Sequence, residues 1–189
     1  MKEFFSSDLH LFHYNVIKFS GRPFLDIDEM HDELILQWNS VVSKEDTVYL
    51  LGDVSLGNPQ GTRDILDRLN GKIILIRGNH EKVAMHSKVK DRFFEIKDYL
   101  YLKLIQDNIE RILILSHYPF ASWNRMHHGS FHLHGHTHGS YFLEKGKILD
   151  VGVDGILCKT LNVFRPLSLE EVITYMADRE ILTGIDHHN

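Results

Sequence analysis

The chain has 189 residues, 43% hydrophobic and 25% charged, with 13 glycines and 4 prolines, a composition suited to one globular domain that buries its own core. A net charge of -5 and a pI near 6.3 argue against a protein built to grip a nucleic-acid backbone. The single cysteine, Cys158, excludes an internal disulfide and a thiolate metal cage; it reads as a small core residue, and metals here would take nitrogen and oxygen ligands. Apolar runs such as ILILS at 112 to 116 are too short to cross a bilayer, and MKEFFSSDLH lacks an apolar region with a small-residue cleavage site. The expectation is a cytoplasmic protein with no membrane partner.

In chain order, EFFSS (3 to 7) has the length and content of a buried strand and runs into Asp8-Leu9-His10. A helix follows, with Asp26 and Glu29 at capping-box spacing and Ile27, Met30, Leu34, Trp38 and Val41 on one face. The strand TVYLL (47 to 51) leads into Gly52-Asp53. A second helix near 60 to 69 stops at Asn70-Gly71. KIILI (72 to 76) leads through Arg77 to Gly78-Asn79-His80-Glu81. YLKLI (101 to 105) and RILIL (111 to 115) are further strands, the second reaching His117 after Ser116. FHLH (131 to 134) runs into Gly135-His136-Thr137-His138, and Ser168 with Glu171 opens a last helix, SLEEVITYMADRE. With strands predominating from 99 to 165 and no repeat or linker, residues 1–189 read as a single α/β domain with two packed sheets.

Five strand candidates thus deliver carboxylate, imidazole or amide at their C-terminal ends, the edge where ligands bind in open α/β sheets. Of 14 histidines, seven lie between His117 and His138. Asp8, His10, Asp53, Asn79, His117, His136 and His138 make seven hard or borderline donors without sulfur, a set suited to two divalent ions, manganese first, with iron or zinc as alternatives. Two such ions need a shared anion to offset their repulsion, and Asp53, with room left by Gly52, is the candidate bridge. Gly78 and Gly135 are expected where the chain turns sharply.

In this order, Asp8-x-His10, Gly52-Asp53, Gly78-Asn79-His80-Glu81, His117 and Gly135-His136-x-His138 resemble the calcineurin-like metallophosphoesterase superfamily. The stretches from His13 to Pro23 and from His117 to Asn124 further resemble a small bacterial and phage branch of it. The resemblance implies a four-layer αββα sandwich, two mixed sheets flanked by helices. It implies that Asp8, His10, Asp53 and His138 hold one ion and Asp53, Asn79, His117 and His136 the other, with His80 as general acid. The implied activity is hydrolysis of a phosphodiester, favoured, or a phosphomonoester, through a hydroxide held between the ions. The substrate would be a small phosphorylated molecule, a nucleotide among the options. Nuclease, cyclic-nucleotide phosphodiesterase and protein phosphatase are the enzymatic alternatives. A catalytically silent scaffold on the same fold and a histidine-rich metal buffer are the rivals from other classes.

Asn15 and Arg22, together with Asn79, are the candidate substrate contacts; the alternative for Arg22 is a turn residue before Pro23. His132 and His134 share one strand face and are expected as partly exposed residues without a role, the second reading being donors behind the site. His127 and His128 are read as lining the pocket mouth or as a solvated loop. His31, His86, His187 and His188 are read as surface residues.

Overall fold

The computed structural model describes residues 1–141, 143 and 145–184. The first sheet is formed by β1 (Glu3–Ser6), β2 (Thr47–Leu50), β3 (Lys72–Ile76), β4 (Phe93–Lys97) and β9 (Leu167–Ser168), in the order β4-β3-β2-β1-β9. β1 to β4 are parallel and β9 runs antiparallel to β1. The second sheet is β5 (Leu100–Gln106), β6 (Ile109–Leu115), β7 (Phe131–His134) and β8 (Ile148–Asp150), in that order. Only its β5-β6 hairpin is antiparallel, so both sheets are mixed.

Alternation along the strands decides what each sheet face meets. Phe5, Tyr49, Leu51, Ile74 and Ile76 point inward against Leu113, Leu115, Leu133 and Leu149 of the second sheet, forming one buried cluster between the sheets. Phe4, Val48, Leu50, Ile73 and Leu75 point the other way, into helices α2 (Ile27–Val41) and α3 (Pro59–Arg68). Asp26 caps α2 through the main-chain N–H groups of Asp28 and Glu29. Helix α1 (Tyr14–Phe19) lies between β1 and α2 in sequence, while α4 (Ile156–Leu161) and α5 (Leu169–Ala177) add Leu157, Val172 and Met176 to the core between the sheets. The outer face of the second sheet is covered by Trp123 and Met126, which pack on Ile114 and Ile148 from a loop whose only helical turn is Met126–His128. No described helix is long and apolar enough to cross a membrane.

Three histidines expected at the surface or half-exposed are core residues. His31 shares the buried stripe of α2 with Met30, Leu34 and Ile35, and its Nε2 accepts the Phe12 main-chain N–H at 2.9 Å. His132 and His134 are 0% and 1% exposed: the loop over the second sheet closes on His132, and Tyr141 packs edge-on against His134. His132 Nδ1 donates to the Ile114 carbonyl at 3.0 Å, its Nε2 accepts the Phe120 N–H at 3.0 Å, and its ring stacks on Phe120. His86 is exposed as expected; His187 and His188 lie outside the described residues.

Burial lowers the His132 pKa to about 4, so the folded chain holds it neutral while the unfolded chain protonates it below about 6.5. Its contribution to stability is therefore complete above pH 6.5 and is lost as the pH falls toward 4. His132→Phe fills the space but strands both hydrogen-bond partners, costing about 1–3 kcal/mol at neutral pH. Chemical denaturation should also find a shallower decline of stability between pH 6.5 and 4.5 in this variant than in the unsubstituted protein.

Candidate metal centre

The site lies where the ends of β1, β2 and β3 in one sheet meet the ends of β6 and β7 in the other. After β1 the chain turns through Asp8 and His10, whose main-chain N–H groups donate to the carbonyls of Gly52 and Asp53, both at 3.0 Å. Asp8 (φ 58°), His10 (φ 50°), Asp53 (φ 53°), His136 (φ 70°) and His138 (φ 49°) all adopt left-handed backbone. Few side-chain-bearing residues do so, and such strain gathers where geometry serves function.

Two triads result, Asp8-His10-His138 and Asp53-His117-His136, each with donor atoms within 4.8 Å of one another. Asp53 joins them. Its Oδ2 lies 3.5 Å from His10 Nε2 and its Oδ1 3.6 Å from His117 Nε2, so one carboxylate faces both groups. Asn79 Oδ1 lies 2.9 Å from His117 Nε2 and 3.0 Å from His136 Nδ1. All seven sequence candidates converge.

The residues fit divalent cations on three counts. His10 Nε2 is buried and has no hydrogen-bond partner. Burial, then the charges of His138 and Arg22, lower the His10 pKa to about 2, leaving a neutral imidazole with a free lone pair. Second, His117 Nδ1 is 2.7 Å from the Leu51 carbonyl, which only accepts, so the proton sits on Nδ1 and the Nε2 lone pair faces another acceptor, the Asn79 oxygen. A shared cation relieves that repulsion. Third, burial and then Asp150 push the Asp8 carboxyl well above its usual range, a penalty an adjacent cation would offset.

The supporting shell holds residues not singled out in the sequence. Asp154 Oδ2 accepts His138 Nδ1 at 2.7 Å and also Arg22 Nη2 at 2.7 Å. Asp150 accepts from the Thr137 hydroxyl and the Gly139 N–H at 2.5 and 2.9 Å, fixing the His136-His138 loop. Glu81 Oε1 accepts the Asp53 main-chain N–H at 2.5 Å. Burial raises the Glu81 pKa to about 7. Asp150 ends β8 and Asp154 follows it, much as the candidate ligands follow their strands, a signal present in DVGVDG.

Two expectations about substrate contacts are corrected. Arg22 does not face the cleft: its side chain is 0% exposed, and its guanidinium is committed to Asp154 and to the carbonyls of Asp8 and Leu9. Asn15 is exposed on α1 but does not line the cleft. Gly78 and Gly135 also differ from expectation. Neither has a left-handed backbone; each is needed because a Cβ would enter a neighbour, Asp53 Oδ1 at Gly78 and the Ser7 side chain at Gly135. Gly52, at φ 91°, meets both demands, since a Cβ there would lie 2.6 Å from His117 Nδ1.

The cleft has a volume of about 440 Å³, a size that holds a small molecule. His10 and Asp53 form its floor and Asn79, His80 and His136 line it; His127 and His128 do not. His80 is exposed, with its ring centroid 5.9 Å from that of His10, and its main-chain N–H donates to Asp53 Oδ1 at 3.0 Å. A larger cavity, about 720 Å³, is lined by Lys2, Glu3, Arg165 and Glu171 and contains none of these residues; its Arg165 already pairs with Glu171.

Arg22→Ala should cost about 3–5 kcal/mol, the usual result of stranding one charge of a buried pair, whereas Asn15→Ala should leave stability unchanged. Equilibrium denaturation of the two variants tests this difference.

No protein-family model matches the chain. It is 31% identical over 193 residues to the uncharacterized protein MJ1445 of Methanocaldococcus jannaschii, covering 98% of this chain and 97% of that protein. It is 29% identical to the gene 66 protein of Mycobacterium phage L5, over 79% of this chain and 85% of the relative. For the gene 66 protein of Mycobacterium phage D29 the identity is 33%, over 71% and 77%. The crystal structure of AQ665 from Aquifex aeolicus, a protein of unknown function, superposes with a TM-score of 0.64 at 22% identity, over 92% of this chain and 98% of that one, and shares its fold. The chain belongs to the family that contains MJ1445 and the gene 66 protein of phage D29.

Proposed function

We propose that the protein is a cytoplasmic metal-dependent phosphoesterase of the calcineurin-like metallophosphoesterase type, acting on a small phosphorylated substrate. The observation that carries this reading is Asp53, whose two carboxylate oxygens face His10 and His117 at 3.5 and 3.6 Å at the junction of two donor triads. Asp8, His10, Asp53 and His138 would hold one divalent ion, and Asp53, Asn79, His117 and His136 the other. Such ions, manganese first among the choices, supply Lewis acidity, lowering the pKa of a water and countering charge on phosphoryl oxygens.

The chain's own residues do the rest. Asp154 and the Leu51 carbonyl hold His138 and His117 in the tautomers that turn Nε2 toward the site. His80 is exposed in the cleft and tethered through its main chain to Asp53, which fixes where its imidazole reaches. It is the group suited to give a proton to the departing alkoxide. Burial of the floor residues His10 and Asp53 keeps bulk water from screening the charge that develops above them.

Purified protein loaded with manganese should contain two ions per chain by elemental analysis. It should hydrolyse bis-p-nitrophenyl phosphate or p-nitrophenyl phosphate and lose that activity on chelation. Full activity at one ion or fewer would sink the dinuclear reading, and no turnover of either ester or of cyclic nucleotides would sink the phosphoesterase reading. Asp53→Asn should reduce occupancy of both ions, whereas His136→Ala and His138→Ala should each weaken mainly one.

His80→Ala should retain both ions while kcat falls by roughly 10² to 10⁴ on an alkyl or nucleoside ester. The loss should be much smaller on a p-nitrophenyl ester, whose leaving group scarcely needs a proton. Equal losses on both esters would reassign His80 from proton donor to charge stabiliser.

A further inference from the structure

With Arg22 buried in the protein's own ion pair, the cleft retains one lysine or arginine among its described lining residues, Lys159. Lys159 stands on α4 and is exposed, and its Nζ donates to the His138 carbonyl at 3.1 Å. That hydrogen bond parks an ammonium beside the Asp8-His10-His138 triad. Several other surface cations are matched to carboxylates: Arg63 to Asp67 and Asp91, Arg77 to Asp98, Lys103 to Glu110. No described carboxylate pairs with Lys159. Asp53, on the floor, is the one carboxylate among the described lining residues, so nothing at the rim opposes an anionic ligand.

The same end of the cleft carries an unburied aromatic ring. Phe19, the last residue of α1, is 79% exposed and lines the cleft. Its ring meets that of His13 at 6.4 Å, and His13 meets His10 at 5.3 Å, so the phenyl face stands two ring contacts from the centre. The next residue, Ser20, places its hydroxyl 3.1 Å from His138 Nδ1, which brings the end of α1 to the same triad that Lys159 overhangs. Phe94, exposed to a similar degree, lies away from the cleft and is covered by Lys72 at 4.4 Å. An exposed ring and a cation paired with no described carboxylate, flanking one triad, form a matched pair of contacts, one for a flat π-surface and one for an anion.

We propose that Phe19 and Lys159 form a subsite for a mononucleotide moiety of the substrate, the base stacking on Phe19 and a phosphate oxygen pairing with Lys159. This rests on the phosphoesterase reading for its catalytic meaning but not for the binding it asserts. The cleft volume of about 440 Å³ and the net charge of -5 favour a mononucleotide over a polynucleotide, whose backbone would need a basic track.

Calorimetric titration of the manganese-loaded protein with adenosine monophosphate, ribose 5-phosphate and adenosine separates the two contacts. Adenosine monophosphate should bind about tenfold or more tightly than ribose 5-phosphate, in line with one stacked base. Phe19→Ala should abolish that difference. Lys159→Ala should weaken both phosphates by about the same factor and leave adenosine unchanged, with Lys159→Arg restoring them. Both side chains are exposed, so folding should be unaffected, and thermal melts of the variants check this. Equal binding of the two phosphates by the unsubstituted protein, or variants without these effects, would overturn the subsite, as would an oligonucleotide binding far more tightly than adenosine monophosphate. Turnover of bis-p-nitrophenyl phosphate, measured in parallel, reports on the phosphoesterase reading separately: the subsite fails if activity is present and selectivity absent, and the catalytic reading fails in the reverse case.

Discussion

The site depends on one buried guanidinium. Arg22 donates to the carbonyls of Asp8 and Leu9 and, through Nε and Nη2, to Asp154, which in turn takes the proton of His138 Nδ1. The turn after β1 and the loop after α1, neighbours in sequence, are thereby tied at one point to the distant loop after β8. A charge removed from water this completely is retained only with its hydrogen-bonding capacity spent on fixed partners. Here the partners include the backbone of one candidate ligand and the orienting carboxylate of another. Geometry at Asp8 and at His138 is therefore set jointly, although 130 positions separate the two residues in the chain.

Backbone strain is the second constraint. Five of the seven candidate ligands sit at positive φ without being glycine. Each is an unfavourable choice taken alone, sustained by what surrounds it: the Asp8 carboxylate takes the His136 N–H at 2.9 Å, Asp53 takes the His80 N–H, and Asp150 takes the N–H of Gly139. The carboxylates thus do two jobs, holding the loops that carry the next donor as well as presenting their own oxygens.

The candidate donors were legible in the sequence because each follows a strand, and strands announce themselves by short apolar runs. Asp8, His10, Asp53, Asn79, His117, His136 and His138 were all reached that way, as were the two packed sheets and the principal helices. The supporting residues were not, for a physical reason. Whether Arg22 points into a cleft or under it depends on a partner, Asp154, more than a hundred residues away, and no local pattern encodes that. The same holds for His132 and His31: a histidine on a strand or helix reads as polar, and only the loop or stripe that closes over it turns it into a core residue, His132 bonded through both ring nitrogens and His31 through Nε2. Short elements such as β8, β9 and α4 carry too few residues for a period to declare itself. Gly78 and Gly135 were noticed, but the reason lay in side chains pressed against them and not in the turn.

The two triads and Asn79 draw on both sheets: the ends of β1, β2 and β3 supply Asp8, His10, Asp53 and Asn79 from one side, those of β6 and β7 supply His117, His136 and His138 from the other. The apolar cluster between the sheets ends at this seam. Below it the layers are joined by contacts that have no direction and tolerate small slips; at it, they meet through groups whose reach is fixed to a few tenths of an ångström. This edge is thus also the gauge of how the two layers are registered. A sliding of one layer over the other too small to disturb the oily interior would separate the donors of Asp53 from those of His117, so substitutions deep between the sheets could silence the site without unfolding the chain.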